Sequence, residues 1–196
     1  STKVKTPPTS FTELAAEPQS FKIALEDPRS DTPGLGLVLW IKAAYGDKAP
    51  AIWAGLKPHI VTMAQSWDEA YGLFLKGNAD MALSYTTSPA YHAIEEKKPQ
   101  YAYAQFTEGF YPQVEIAGAL KSSPHLDLAK KFLAWLVTPD AQGVIPTTNW
   151  MYPVTAIGSA LPPEFPAKPA KVLSLDEATI TANKQAWIDE ALAAIR

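Results

Sequence analysis

An α/β fold is what the sequence predicts, on three observations. Short apolar runs alternate with segments of helix length; helix-start signals punctuate that alternation; and 47% of the 196 residues are hydrophobic, enough for one good core. Strands separated by helices of this length form a sheet whose faces the helices cover.

The elements follow in order. Ser10-Phe-Thr-Glu13 has the spacing of a capping box, in which the Ser hydroxyl and the Glu carboxylate cover early helix amides, so a short helix is expected there. Phe21 to Leu25 reads as a strand and Asp27 to Thr32 as a loop. The next helix runs from Pro33 to Tyr45 and stops at Gly46, with Pro in the first turn, Gly at the end and apolar residues on nearly every side. A helix near Ala49 to Leu56 and a strand near Ile60 to Met63 come next. Ser66-Trp-Asp-Glu69 opens a further helix that closes at Gly77. Met81 to Tyr85, Tyr101 to Phe106 and Val114 to Leu120 are strand-like, and Ser88 is the expected cap of a helix running into Glu95-Glu-Lys-Lys98. The helix after Ser123-Pro124 turns Leu126, Ala129, Leu133 and Leu136 to one side and ends at Thr138-Pro139. Pro153 to Pro169 lacks periodicity and reads as an extended surface connection, and a last helix runs from the Ser174-Leu-Asp-Glu177 region to Ile195.

Composition removes several function classes. Charged residues are 19% of the chain and the formal net charge is −3, so no field draws the molecule to nucleic acid or an anionic membrane. No run approaches the ~18 apolar residues that span a bilayer, so membrane insertion is not expected. The opening Ser1-Thr-Lys-Val-Lys-Thr-Pro-Pro8 is too polar for a signal peptide, and an export signal, if one exists, is expected upstream. The absence of Cys rules out disulfides and thiolate chemistry without fixing a compartment.

Little points to catalysis. His59, His92 and His125 stand far apart with no zinc spacing, no glycine-rich loop matches a nucleotide pattern, and no cofactor is expected. Gly34-Leu-Gly36 suits helix packing. Ser88 and His92 lie four apart, but no nucleophile elbow surrounds Ser88, and an N-cap explains it more simply. The Glu95 to Lys98 run reads as a solvated helix face.

Aromatic residues at loop-to-helix junctions carry the functional signal. Trp67 opens one helix, Tyr85 ends a strand, Tyr91 lies in the first turn of the next helix, and Trp150 and Tyr152 follow in a loop. Ligands of α/β sheets sit beyond the carboxyl ends of the strands, where the first three residues fall. Aromatic faces stack on flat heterocycles and attract cations, at about 0.5 to 2 kcal/mol per desolvated contact. Thr86, Thr87, Ser88 and free helix amides offer hydrogen bonds and a mild anion site. Each aromatic taken singly is also explained as core or rim, and only the shared location favours a planar cationic ligand.

Four stretches resemble the bacterial thiamine-binding periplasmic proteins: Asp27-Pro-Arg-Ser-Asp-Thr-Pro-Gly-Leu-Gly-Leu37, Trp67-Asp-Glu-Ala-Tyr-Gly-Leu-Phe-Leu-Lys-Gly77, Leu83-Ser-Tyr-Thr-Thr-Ser-Pro-Ala-Tyr-His92 and Ile145-Pro-Thr-Thr-Asn-Trp-Met-Tyr-Pro153. The resemblance implies a type II periplasmic-binding-protein-like α/β fold, a periplasmic location, and capture of thiamine or its phosphates for an ABC permease without catalysis. It places ligand contacts at Thr32, Trp67, Tyr85, Thr86, Thr87, Ser88, Tyr91 and Trp150, with the aromatics around the rings and the hydroxyls at the polar or phosphate end.

Asp31 stands where relatives usually carry Ser. A carboxylate beside a phosphate position implies a preference for free thiamine; the plainer reading is that Asp31 caps its own helix and points away. The resemblance also implies that an amino-terminal segment forming most of the first lobe is absent. Residues 1–112 are then the second-lobe domain, 113–153 cross back to the first lobe, and 154–196 are the Pro-rich connection and last helix. The chain alone is expected to expose apolar surface, to self-associate or to need that segment as a partner. Three other functions stay open: an enzyme of thiamine or pyrimidine metabolism, for which Asp27, Asp31 and Glu69 are the nearby acids; a purely structural or interaction domain, which the clustered junction aromatics disfavour; and a ferric iron binder. Iron-binding relatives use two consecutive Tyr, whereas Thr86 follows Tyr85.

Overall fold

A computed structural model describes residues 4–196. In chain order the elements are α1 (Phe11–Ala15), β1 (Ile23–Glu26), α2 (Thr32–Tyr45), α3 (Ala49–Leu56), β2 (Ile60–Ala64), α4 (Trp67–Leu75) and β3 (Met81–Ala82). There follow α5 (Ser88–Ile94), α6 (Leu126–Leu136), α7 (Pro139–Thr148) and α8 (Glu177–Ile195). Among the described residues the strands form one parallel sheet in the order β2–β1–β3. Parallel strands need long crossovers: α2 with α3 links β1 to its neighbour β2, and α4 carries the chain from β2 past β1 to β3 on its other side.

The chain divides into two bodies, each discontinuous in sequence. The first takes the described residues through Tyr85, Ala104–Gln113 and Pro169–Arg196; the second takes Thr86–Tyr103 and Val114–Lys168. This grouping differs from the three consecutive segments expected from sequence. Thr86–Tyr103 leaves the first body, and α8 belongs to the first body because it packs on α2 and α3.

In the first body the two faces of the sheet are covered differently. Ile23 and Leu25 of β1 join Leu37, Val38 and Ile41 of α2, Ile52, Trp53 and Leu56 of α3, and Ala191 of α8 in the main core. The opposite face is built of Ala24, Ala64, Ala70 and Ala79, whose small side chains let α4 lie close against the sheet. Gly34 serves a similar close approach, since a Cβ there would stand 2.4 Å from the Glu26 carbonyl oxygen. Gly46 ends α2 in a positive-φ conformation, φ 55°, as the sequence predicts.

In the second body α6 turns Leu126, Ala129, Leu133 and Leu136 to its half-buried side, the face read from the sequence. Leu128, Phe132 and Trp135 are exposed on the other side. The Pro153 to Pro169 stretch forms no helix or strand and is pinned by buried Phe165, edge-on to Tyr152 at 5.3 Å.

Several local expectations are corrected. Tyr101 to Phe106 and Val114 to Leu120 are not strands, and β3 is two residues long. An apolar, β-branched run becomes a strand only where another backbone takes up its amides and carbonyls, and Ile116 is 93% exposed. The box at α1 is shared: Ser10 Oγ accepts from the Glu13 amide, but the Glu13 carboxylate accepts from the Thr9 amide and hydroxyl. Neither Ser66 nor Ser88 acts as a side-chain cap: Ser66 makes no cap bond, and Thr87 holds the cap position of α5. That helix stops at Ile94, short of the charge run, where Lys97 turns to φ 58° and the Lys98 amide folds back on the His92 carbonyl.

Candidate functional site

In the first body the candidate residues gather at the carboxyl ends of the strands. Packing of α4 on the alanine face fixes the height of its first turn, and there Trp67 stacks on Tyr71 with centroids 4.6 Å apart and planes at 17°. The Trp67 indole N–H donates to Ser84 Oγ at 3.1 Å, which ties the ring to the segment leaving β3 and leading into half-buried Tyr85. The Trp67 backbone N–H donates to Asp31 Oδ2 at 2.8 Å.

That last bond corrects the reading of Asp31 as a cap pointing away. Asp31 occupies the cap position of α2 but makes no side-chain bond to that helix; it caps α4 instead, in place of Ser66. A carboxylate is thereby held at the electropositive end of α4, where an anionic ligand group would otherwise be favoured. Thr32, next in sequence, is exposed, with its carbonyl accepting from Gln113 Nε2 at 2.9 Å. Asp27 accepts from the Arg29 amide and guanidinium, and Arg29 holds its carboxyl below the ordinary range.

Glu26 closes β1 just behind these residues. It is fully buried, and neither carboxyl oxygen has a hydrogen-bond partner among the described residues. Burial, with the charge of Asp31 as the second cause, pushes its carboxyl up to about 8, so Glu26 is a neutral acid at pH 7.

In the second body Tyr91 is exposed on α5 and meets Trp150 edge-on, with centroids 5.3 Å apart and planes at 80°. Trp150 sits one residue past the C-cap of α7 at φ 56°, a left-handed conformation that helix ends normally give to Gly. Thr86 Oγ1 lies 3.5 Å from Tyr152 Oη, whose ring has Lys168 Nζ 5.6 Å from its centroid. Burial raises the Tyr152 phenol above its ordinary range, so it stays protonated as a donor. Thr87 is buried, while Ser88 is half-buried in the first turn of α5. His92 is buried too, with Nδ1 2.8 Å from Glu96 and its ring 4.1 Å from that of Tyr101, a packed position that accounts for it without catalysis.

The structure thus brings Asp31, Thr32, Trp67 and Tyr85 into the first body and Thr86, Thr87, Ser88, Tyr91 and Trp150 into the second. Sequence reasoning missed Tyr71, Ser84 and Glu26 as parts of this constellation. Tyr71 was open to discovery, because it follows Trp67 by one helical turn. Glu26 was legible only as a charge ending an apolar strand, and ending that strand at Leu25 hid it.

The profile of the bacterial extracellular solute-binding proteins matches residues 2–143, and the chain belongs to that family. Its fold is the α/β solute-binding fold. Among similar curated proteins, the thiamine-binding periplasmic protein of Salmonella typhimurium is 52% identical over 190 residues, covering 96% of this chain and 58% of its own length. That of Brucella melitensis is 46% identical over 196 residues, covering 99% of this chain and 59% of its own length. A solved periplasmic thiamin binding protein superimposes with a TM-score of 0.93 at 49% identity, covering all of this chain and 61% of that one. A Bordetella ferric binding protein, at 21% identity and a TM-score of 0.66, shares the fold. The chain therefore spans about 58% of the length of the Salmonella relative. Among the described residues no helix is long and apolar enough to cross a membrane.

Proposed function

We propose that this chain belongs to a periplasmic solute-binding component that captures thiamine and passes it to an ABC permease. The observation that carries the reading is Trp150 at φ 56° and edge-on to Tyr91. A left-handed backbone costs a bulky residue on the order of 1–3 kcal/mol, which is sustained where the ring has a use. The Trp67–Tyr71 stack offers a second aromatic surface, and the identity to thiamine-binding proteins supports the choice of vitamin.

Asp31 sets the preferred form. Its carboxylate caps α4, so a phosphate brought to that helix end meets a negative charge, and free thiamine is favoured over its phosphates. The test is a thiamine titration followed by tryptophan fluorescence, on the chain alone and with the portion of the Salmonella relative that it does not align with supplied in trans. Saturable binding is expected, weakened severalfold by Trp67→Ala and by Trp150→Ala, with thiamine recovered unchanged. Absence of saturation in both arms, or conversion of the vitamin, overturns the reading.

A further inference from the structure

We propose that Glu26 is a proton-coupled positioning residue for the cation: its buried carboxyl, unpartnered among the described residues, gives up its proton when a positively charged ligand settles against Asp31 and Trp67. The inference rests on the thiamine reading above and adds to it a role for a carboxyl that is sealed from the surface.

Three features of the first body carry it. Glu26 ends the central strand, on the edge where the loops to α2 and α4 begin, and it shares the parity of Ala24, which faces α4. It is completely enclosed, yet both carboxyl oxygens lack partners among the described residues, although buried carboxyl groups are ordinarily paired. Asp31, whose charge acts on Glu26, is fixed at the first turn of α4 by its bond to the Trp67 amide. Burial is the larger cause that holds the proton on Glu26 and the charge of Asp31 the second; a cation arriving beside Asp31 offsets that charge and adds its own attraction for the ionised carboxyl.

The other ionisable groups nearby do not replace it. Asp27 is paired with Arg29, Glu69 accepts from the Gln65 amide, and Asp68 lies exposed on α4. The Tyr71 ring lies under Trp67, while β2 and β3 contain no titratable side chain. On α2 the lysine, Lys42, pairs with Glu190 in the helix's last turn. The chemistry is a single ionisation: the Glu26 O–H bond breaks, the electron pair stays on the carboxylate, and the proton leaves to the buffer.

The experiment is calorimetry of thiamine binding at pH 7 in two buffers of different ionisation heat, with affinities measured from pH 6 to 8.5. Wild-type protein is expected to release about half a proton or more per thiamine, and its affinity to rise severalfold from pH 6 before levelling off above about pH 8. Glu26→Gln should bind with no proton release and with a flat profile at the low-pH affinity. Difference infrared spectra of the wild type give a reading independent of the variant: a protonated-carboxyl band present in the free protein disappears on adding thiamine. Binding without proton release, release that persists in Glu26→Gln, or a carboxyl band unmoved by thiamine overturns the role of Glu26 and leaves thiamine capture standing. Failure of the wild type to bind thiamine at any pH, with or without the supplied portion of the relative, overturns both.

Discussion

Replacing Glu26 with Gln should make stability less sensitive to alkali, and the size of the effect follows from the burial of that one carboxyl. A Glu in the unfolded chain loses its proton near 4.5, whereas Glu26 in the folded protein holds it to about 8. Between those values the folded state binds more protons than the unfolded state. Stability supplied by this group is therefore complete below about pH 4.5 and is lost as pH rises to about 8. Each pH unit in that window costs about 1.4 kcal/mol, which bounds the loss at about 3 kcal/mol by pH 7 and about 5 kcal/mol above pH 8. Gln has nearly the same shape and does not titrate; the cost of burying its amide is the same at every pH. Urea unfolding of both proteins at pH 5, 7 and 9, followed by tryptophan fluorescence, isolates the difference in slope. The variant should gain on the wild type by about 2 kcal/mol or more between pH 5 and 9. Parallel profiles would mean that Glu26 is ionised in the folded chain, and the argument from its burial would fail.

Three further outcomes are expected. Asp31→Ser removes the charge held at the start of α4 and should raise affinity for thiamine phosphate by about fivefold relative to thiamine, worth about 1 kcal/mol, measured by competition calorimetry. At Trp150, φ 56° penalises any side chain, so Trp150→Gly should be more stable than Trp150→Ala by about 1 kcal/mol in urea unfolding, while both bind thiamine more weakly than the wild type. Gly34→Ala places a methyl 2.4 Å from the Glu26 carbonyl oxygen and should lower stability by about 1–3 kcal/mol, read as a drop in the urea midpoint without loss of helix signal.

Most of the helices were legible in the sequence, because glycine stops, apolar periodicity and some caps are local properties of the chain, whereas α7 and the parallel pairing of the strands were not. Ser10, Gly46 and the inward face of α6 all stand where those rules put them. The sequence also singled out Trp67 and Tyr91 as aromatic residues at helix starts, and Trp150 in what read as a loop. Tertiary structure alone decided which backbone segments found strand partners, and so left Val114 and Ile116 exposed outside any strand. It decided that Asp31 caps α4 across 36 residues of chain, a pairing that no local pattern encodes. And it decided that Glu26 lies sealed behind that cap, because whether a carboxyl meets water or protein depends on every element packed around it, not on its neighbours in sequence.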